Sequence, residues 1–300
     1  MPTMSFASSS FESRRNFLRV SAGTLAGVLA GATRLLAEEP QPVQMPYNNL
    51  SDQDEIELGN ALAAKLDRQL PIVNHVLIDA YLGQFVERLA KACKRPTLPY
   101  RCVLVNTLEV NAYSIAGGHL YLNRGLVEFV EHENQLVATL AHEIGHVAGY
   151  HSANQIMLHY RAAQAFDFLR SNAPKHSEMI DQMVEQLGGL AALLPMLHFS
   201  RANEYEADLL GFYEMVRAGY QPSGFLGLFE LLDAMEKKAG STPIPWLSDH
   251  PPSADRADRI RREMRLVNVQ DGTSEDGLAF RAFKMAMNLL PEPPKPRPQK

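Results

Sequence analysis

Residues 136–151 read Leu-Val-Ala-Thr-Leu-Ala-His-Glu-Ile-Gly-His-Val-Ala-Gly-Tyr-His, and this stretch decides how the rest of the chain is interpreted. It contains the pattern H-E-x-x-H as His142, Glu143 and His146. The surrounding positions are mostly Leu, Val, Ala and Ile, and apolar residues recur three and four positions apart. That periodicity predicts a buried α-helix that carries the two histidines.

The two histidines are spaced to bind one cation. Residues four apart lie on the same face of a helix, so His142 and His146 can direct ring nitrogens at a single ion. Neutral imidazole binds zinc at about 2.0–2.1 Å. Glu143 is rotated off that face, where its carboxylate can act as general base on a metal-bound water. A chance match occurs in roughly 2% of such chains, but these polar groups would be poorly solvated on an apolar helix without a partner.

Length and composition limit the class of protein. A chain of 300 residues with 46% apolar side chains can bury one full core. Residues 1–37 hold four Arg and one Glu, which leaves 25 basic and 33 acidic side chains from the totals of 29 and 34. This acidic balance argues against nucleic acid as a partner. Two cysteines are too few for a disulfide scaffold; Cys93 and Cys102 flank a turn and are either paired or separate thiols.

The first 37 residues are predicted to be an export signal. Residues 13–19 contain a twin-arginine pair followed by Phe-Leu, and residues 20–33 are uncharged and rich in Ala and Gly. This apolar stretch is shorter than the about 20 residues that a membrane span needs, but it suits a signal peptide. The pattern resembles a bacterial twin-arginine signal, cleaved after Ala32 or Ala37, and predicts a periplasmic protein. A general secretory signal or an uncleaved anchor is the alternative.

The remaining chain is predicted to form one zinc-binding domain with short flanks. Residues 38–49 are Pro-rich and are predicted to be a linker, and residues 291–300 are predicted to be a disordered Pro-rich tail. Residues 50–290 predict an α+β fold, mainly helical, with a small antiparallel sheet beside the H-E-x-x-H helix. An apolar stretch within 187–199 is too short to span a bilayer. It is predicted to be a buried helix, with a lid that contacts a membrane surface as the alternative.

A third metal ligand is expected from a second segment of the chain. Catalytic zinc takes three protein ligands and leaves a fourth position for water. Glu204 is the candidate, and Asp208 lies one turn later on the same helix face. Asp208 can therefore accept the N–H of a zinc-bound histidine and fix its tautomer. Glu206 is the rival ligand, but it lies two residues on and cannot share a face with Glu204.

Two short strand patterns precede the H-E-x-x-H helix. Residues 111–115 and 119–122 are joined by a turn with two glycines, which predicts a hairpin. A strand beside a zinc helix can hydrogen-bond an extended substrate by edge addition. Gly117, Gly118 and His119 are therefore candidate substrate-binding residues, and an ordinary covered strand is the alternative. His119 is interpreted as structural or cleft-lining rather than as a metal ligand.

These pieces together resemble one known family, the gluzincin metallopeptidases of the CaaX-prenyl-protease type, family forty-eight of the metallopeptidases. The soluble bacterial periplasmic members and the mitochondrial inner-membrane relative are the most similar. The resemblance covers about residues 48–263. The matching pieces are residues 112–122, 141–146, 200–208 and 250–252 with Arg256.

The resemblance implies specific roles for the candidate residues. It implies one zinc ion per chain, bound by His142, His146 and Glu204, with Glu143 as the base. It also implies that the substrates are misfolded or misassembled envelope proteins. Gln135 departs from the pattern, because relatives usually have an acid there, but this position lies outside the metal ligands.

Two residues near the C-terminus complete the predicted site. His250 either binds the tetrahedral intermediate, or takes the open zinc position and holds the enzyme latent, or is an ordinary turn residue. Arg256 is a candidate for stabilising an oxyanion, and a salt-bridge partner is the alternative. The sequence thus predicts an exported zinc metalloendopeptidase acting on proteins or peptides. A zinc-bound chaperone or assembly factor that holds clients without cleaving them is the alternative, and a zinc-dependent amidase or esterase is a third.

Overall fold

The computed structural model describes residues 39–167, 176–187, 189, 193–239, 245–250, 254–269 and 276–294. The predicted signal at residues 1–37 lies outside these residues, as do residues 295–300 of the predicted tail. The prediction of an α+β fold that is mainly helical is confirmed. The described helices are α1 (Asp52–Gln69), α2 (Val76–Ala92), α3 (Arg124–Phe129), α4 (Glu133–Ala148), α5 (His151–Asp167), α6 (His176–Leu187), α7 (Arg201–Arg217), α8 (Gly224–Ala239), α9 (Pro245–Asp249), α10 (Ala254–Leu266) and α11 (Leu278–Asn288).

One sheet of four described strands lies beside α4. Its strands are β1 (Ile72–Val73), β2 (Arg101–Val105), β3 (Ala112–Ile115) and β4 (His119–Asn123), in the order β1-β2-β4-β3. The predicted hairpin is present as the antiparallel pair β3 and β4. The prediction of a purely antiparallel sheet is wrong, because β4 returns between β3 and β2 and runs parallel to β2. This order leaves β3 as the outermost strand on the side opposite β1.

The two faces of the sheet pack against different hydrophobic clusters. One face carries Leu104, Leu120 and Leu122, which pack with apolar residues of α2, α4 and α7. Tyr113 and Tyr121 face the other way and pack with α1 and α5. This period-two alternation is the normal result of the pleated strand. It places the H-E-x-x-H helix in the larger cluster, where it is buried on all sides.

The start of α4 is stabilised by Gln135. The side-chain Oε1 of Gln135 accepts the backbone N–H groups of Glu131, at 2.8 Å, and His132, at 3.0 Å. A carboxylate at this position makes the same bonds in a capping box. The departure from the family pattern at Gln135 therefore leaves the helix start satisfied.

Helices α4 and α7 cross at small residues. A Cβ atom added to Gly145 would lie 2.5 Å from the carbonyl oxygen of Ala207, and one added to Gly211 would lie 2.8 Å from the backbone of Ala141. Both distances are shorter than any real carbon contact, so the two backbones touch where glycine allows it. This contact places the first half of α7 directly beside the two histidines of α4.

Several local predictions differ from the observed structure. The apolar stretch after Leu187 includes a short 3-10 turn at Leu194–Leu197, while residues 188 and 190–192 lie outside the described residues. Trp246 lies in the short helix α9 and is buried in the core. Cys93 and Cys102 are separate thiols. Among the described residues, no helix combines the length and apolar character needed to cross a membrane.

The Asn154 side chain of α5 makes three hydrogen bonds to the segment predicted as a linker. Nδ2 of Asn154 donates to the carbonyl oxygen of Val43 at 3.1 Å. Oδ1 of Asn154 accepts from the backbone N–H of Met45, at 3.2 Å, and from Nδ2 of Asn48, at 2.9 Å. The described part of this segment thus packs on the start of α5.

Candidate metal centre

Four buried side chains converge between α4, α7 and the end of α9. The ligand atoms of His142, His146, Glu204 and His250 all lie within 4.8 Å of one another. Nε2 of His142 is 3.0 Å from Nε2 of His146 and 3.1 Å from Nδ1 of His250. The Glu204 carboxylate lies 3.4 Å from the first of these nitrogens, 3.3 Å from the second and 3.1 Å from the third. The structure therefore brings together the three predicted ligands and adds His250 as a fourth donor.

These distances fit a tetrahedral zinc ion. Ligand atoms that bind one zinc at about 2.0–2.1 Å lie about 3.3 Å apart at the corners of a tetrahedron. The separations of 3.0–3.4 Å between the donor atoms agree with that edge length. The chemistry also fits, because two imidazoles whose Nδ1 atoms are engaged elsewhere point lone pairs at each other, which a cation between them would satisfy. The residues present thus match the metal that the donor set implies.

The predicted base, Glu143, lies beside this cluster with its carboxylate unpaired. It is buried, and within the described part of the chain neither of its oxygens has a hydrogen-bond partner. Nε2 of His250 is 3.4 Å from Oε1 of Glu143. Burial raises the pKa of Glu143 above its usual range, and the neighbouring His250 and His142 only partly oppose this shift. Buried acceptors without partners are rare in folded proteins, and they indicate a functional group.

Asp208 orients the first histidine from behind. Its Oδ1 is 3.0 Å from Nδ1 of His142, so the ring donates there and keeps its Nε2 free for the cluster. Arg256 holds Asp208 with two hydrogen bonds of 2.7 and 2.8 Å and places Nη1 3.1 Å from Glu204. Burial alone would raise the pKa of Asp208, but the Arg256 charge outweighs it and lowers that pKa. Arg256 thus makes the salt bridges that were the alternative to an oxyanion role, and the oxyanion role stays a prediction.

His250 is held in the cluster by aromatic packing and by its own helix. The Trp246 ring stacks on the His250 ring with centroids 4.4 Å apart. The backbone N–H of His250 donates to the Trp246 carbonyl at 2.8 Å. Phe199 lies on the far side, with a centroid distance of 5.9 Å. His250 is buried, so it is not an exposed turn residue. Residues 251–253, which follow it, lie outside the described residues.

The predicted substrate-binding glycines pack against α1. Gly117 has φ 77° and its N–H donates to Glu55 at 3.2 Å, while a Cβ there would lie 3.2 Å from Gly59. Gly118 has φ 88° and lies against Tyr100. Glycine is required at both positions for the left-handed conformation. Their role in substrate binding stays a prediction.

His119 belongs to a second polar group, the partly exposed Arg101 cluster, which consists of Arg101, His119, Asp67, Tyr121 and Asn60. Nε of Arg101 donates to Nδ1 of His119 at 2.6 Å, and Nε2 of His119 is 3.0 Å from Oδ1 of Asn60. Asp67 accepts from Arg101 at 2.9 Å and from Tyr121 at 2.9 Å. Burial and the Arg101 charge lower the pKa of His119 to about 4. Both ring nitrogens are engaged by protein, which agrees with a structural histidine.

Two residues near the second histidine were not predicted as part of the site. Nδ1 of His151 is 3.0 Å from Nδ1 of His146, and Nε2 of His151 is 3.4 Å from the Glu206 carboxylate. Phe199 stacks on the His146 ring with centroids 4.0 Å apart. Glu206, the rival ligand, is thus placed behind the cluster rather than in it. The signal in the sequence is His151 itself, five residues after His146.

Comparison with known proteins points the same way as the geometry. The family model described as Peptidase family M48 matches residues 77–264, which is more than half of the chain and includes every residue of the four-donor cluster. This range also contains Glu143, Asp208 and Arg256.

Three similar proteins have names that describe proteases. The chain is 29% identical over 252 residues to the "Beta-barrel assembly-enhancing protease" of Escherichia coli, covering 80% of this chain and 50% of that protein. It is 28% identical over 214 residues to "Metalloprotease YcaL" of Escherichia coli, covering 71% and 80%. It is 29% identical over 209 residues to "Mitochondrial metalloendopeptidase OMA1" of Schizosaccharomyces pombe, covering 70% and 59%. The chain spans about half the length of the first of these relatives.

Proposed function

The chain belongs to peptidase family M48, and on that premise we propose that it is a zinc-dependent metalloendopeptidase that cleaves proteins of the bacterial envelope. One observation carries the proposal. Three histidine nitrogens and one carboxylate converge at tetrahedral spacing beside a buried carboxylate, that of Glu143, whose oxygens have no described hydrogen-bond partner. Such an unpaired buried carboxylate is rare in a purely structural cluster.

Each residue of the cluster has a defined task in peptide hydrolysis. His142, His146 and Glu204 would hold the zinc ion. When bound, zinc polarises the scissile carbonyl and stabilises the negative charge that develops on its oxygen. The Glu143 carboxylate accepts a proton from the attacking water as the carbon–oxygen bond forms. It then donates that proton to the leaving amine as the carbon–nitrogen bond breaks, so Glu143 returns to its starting state.

The position of β3 supports an extended peptide as the substrate. β3 is the outermost strand, it packs beside α4, and no further described strand pairs with its outer edge. An extended chain can add to such an edge through backbone hydrogen bonds, which favour peptides of many sequences. Because edge pairing needs backbone on both sides of the scissile bond, it favours an endopeptidase. We place the peptidase domain at residues 50–290.

The leader sequence and one relative support an envelope location. Residues 1–37 have the twin-arginine pattern of an exported protein. A relative that matches 80% of this chain is named as a protease that enhances β-barrel assembly. We infer that this chain acts after export, in the periplasm, on misfolded or misassembled proteins.

Protein cleavage and metal content, measured together, test the proposal. The mature chain should bind one zinc ion and hydrolyse casein, and Glu143→Gln should keep the zinc but lose about 10²–10⁴-fold in cleavage rate, the range for a general base. Equal protection of an aggregating client by both proteins, without cleavage, would support the chaperone alternative. Turnover of small amides or esters without cleavage of casein would support the third.

A further inference from the structure

The residues behind His146 form a second orienting device, in addition to Asp208 behind His142. We propose that His151 and Glu206 are positioning residues that hold His146 in the tautomer that presents Nε2 to the metal. This inference rests on the proposed function, because it assigns a task to these residues only if the cluster binds zinc. It concerns affinity for the metal rather than the chemical step.

The contacts run in one line from the cluster towards solvent. His146 is fully buried, and its Nδ1, on the side away from the cluster, faces Nδ1 of His151 at 3.0 Å. His151 is also buried, and its Nε2 faces Glu206 at 3.4 Å. The Glu206 side chain is 27% exposed and borders a cavity of about 290 Å³. The chain of contacts therefore runs from a proposed metal ligand, His146, to a partly exposed carboxylate, that of Glu206.

The direction of the hydrogen bonds follows from the last group. A carboxylate can only accept, so Nε2 of His151 carries a hydrogen and donates it to Glu206. The neutral ring then has a lone pair on Nδ1, which accepts from Nδ1–H of His146. His146 is thereby left with its own lone pair on Nε2, 3.3 Å from the Glu204 carboxylate. Glu206 thus determines the tautomer of His146 through His151.

The backbone between α4 and α5 is shaped to return His151 to this position. Tyr150 has φ 61°, a left-handed conformation that is uncommon for a side chain of its size. Tyr150 lies between the end of α4 and the start of α5 and redirects the chain. Its ring packs on Arg95, with the guanidinium carbon 3.9 Å from the ring centroid. A Cβ at Gly149 would lie 2.7 Å from Nε2 of His151, so glycine leaves space for the ring. The turn at Tyr150 and the space left by Gly149 together place the His151 imidazole behind His146.

The two histidine ligands of α4 are therefore oriented by different groups. His142 donates directly to Asp208, a buried carboxylate that Arg256 holds. His146 donates to a neutral imidazole, and the compensating carboxylate lies one residue further out. The Phe199 ring, stacked at 4.0 Å, fixes the plane of His146 but offers no acceptor. His151 is accordingly the single described acceptor for Nδ1–H of His146.

A matched pair of substitutions separates hydrogen bonding from packing. Asn places Oδ1 where His has Nδ1, so His151→Asn keeps an acceptor for His146, whereas His151→Leu fills the space without one. We expect His151→Leu to lower zinc affinity by about 10–100-fold, the usual cost of losing an orienting partner, and His151→Asn to stay close to wild type. The zinc affinity of Glu206→Ala should lie between those of the two His151 variants, because a water molecule can replace the Glu206 carboxylate.

Two measurements on the full-length mature protein make the test specific. Zinc affinity is measured by competition with a chromophoric chelator, and the Co²⁺-loaded protein is examined for its visible d–d spectrum. The spectrum should change in His151→Leu and match wild type in His151→Asn. Asn154→Ala serves as the control, since it loosens the same helix without contacting His146, and it should leave affinity and spectrum unchanged.

Defined outcomes overturn the inference. Equal zinc affinity in wild type and His151→Leu would exclude a positioning role, and so would an equal loss in His151→Asn and His151→Leu. If His151→Leu does not fold, Gly149→Ala takes its place in the test, because the added Cβ displaces the His151 ring. Unchanged zinc affinity in Gly149→Ala would also overturn the inference. Wild-type protein that binds no zinc would instead remove the proposed function itself.

Discussion

The metal centre and the Arg101 cluster are both polar and both contain a buried histidine, yet they use their polar atoms differently. In the metal centre, nitrogens of three rings and a carboxylate lie 3.0–3.4 Å from one another. In the Arg101 cluster, donors meet acceptors, as where Arg101 donates to His119 and to Asp67. A cation would satisfy the first cluster, whereas the second pairs its donors and acceptors without one.

The two clusters show which feature distinguishes a metal site from a structural hydrogen-bond network. The presence of a buried histidine does not separate the two clusters, because His119 and His142 are both buried. The arrangement of the polar atoms does separate them, since four possible ligand atoms that converge on one point can be satisfied by a shared cation. Substitutions that change one cluster and spare the other therefore test the comparison.

The largest effect is expected from removing the carboxylate donor. Glu204→Ala should lower zinc affinity by more than about 100-fold, above the range for outer partners, because it removes a ligand and leaves Arg256 facing the cluster. Zinc per chain after dialysis is the measurement. Asp67→Asn, in the Arg101 cluster, is the matched control and should retain one zinc ion while lowering thermal stability. Loss of zinc in both variants would mean that the two clusters are not independent.

A backbone substitution should affect the metal centre through the helix crossing. Gly145→Ala places a Cβ 2.5 Å from the Ala207 oxygen, so it should cost about 1–3 kcal/mol in the free energy of unfolding and weaken zinc binding. Urea unfolding measures the first effect. Gly83→Ala in α2 is the control, because nothing lies within 4 Å of its Cβ, and it should stabilise the protein by about 0.5–1 kcal/mol. A stabilised Gly145→Ala would show that the helices can separate at little cost.

The Arg101 cluster should respond to acid. The pKa of His119 is about 4 in the folded protein and 6.5 in its ordinary state, so between these values the unfolded chain binds more protons. Stability should therefore fall as pH is lowered from about 6.5 to 4, with a His119 contribution of at most about 1.4 kcal/mol per pH unit. His119→Asn keeps an acceptor for Arg101 but does not titrate. Unfolding free energies at pH 7, 5.5 and 4.5 should show a shallower slope in this variant; parallel slopes would contradict the assignment.

The smallest effect is expected at His250. Its Nδ1 lies 3.1 Å from both His142 and Glu204, where it would complete the ligand set and leave no position for water. His250→Ala should therefore raise casein cleavage several-fold while zinc stays bound. The kcat and KM for a fluorogenic peptide are the measurement. A fall in kcat would instead favour the predicted role in binding the tetrahedral intermediate.

The candidate site was largely predictable because its parts are local patterns. His142, Glu143 and His146 lie within one helical turn, and Glu204 with Asp208 repeats the same spacing, so helix geometry alone relates them. The hairpin of β3 and β4 was predictable for the same reason. The resemblance supplied the pairing of the two segments, which no local pattern contains.

What could not be predicted depends on contacts between distant segments. The parallel pairing of β4 with β2 is set by packing, not by any turn signal. The position of His151 behind His146 depends on Tyr150, which adopts φ 61° and redirects the chain after Gly149. The close approach of Gly145 to Ala207 also has no sequence signature of its own, since glycine within a helix pattern usually only weakens it.

The contact of α4 with α7 has a consequence for the reach of the third ligand. Because the main chains already touch at Gly145 and Gly211, the helices cannot move closer to compensate for a shorter arm. An aspartate in place of Glu204 would stop one methylene short of the histidine nitrogens, and no sliding of the backbone could close that gap. The choice of glutamate over aspartate is therefore dictated by two glycines that never contact the ion.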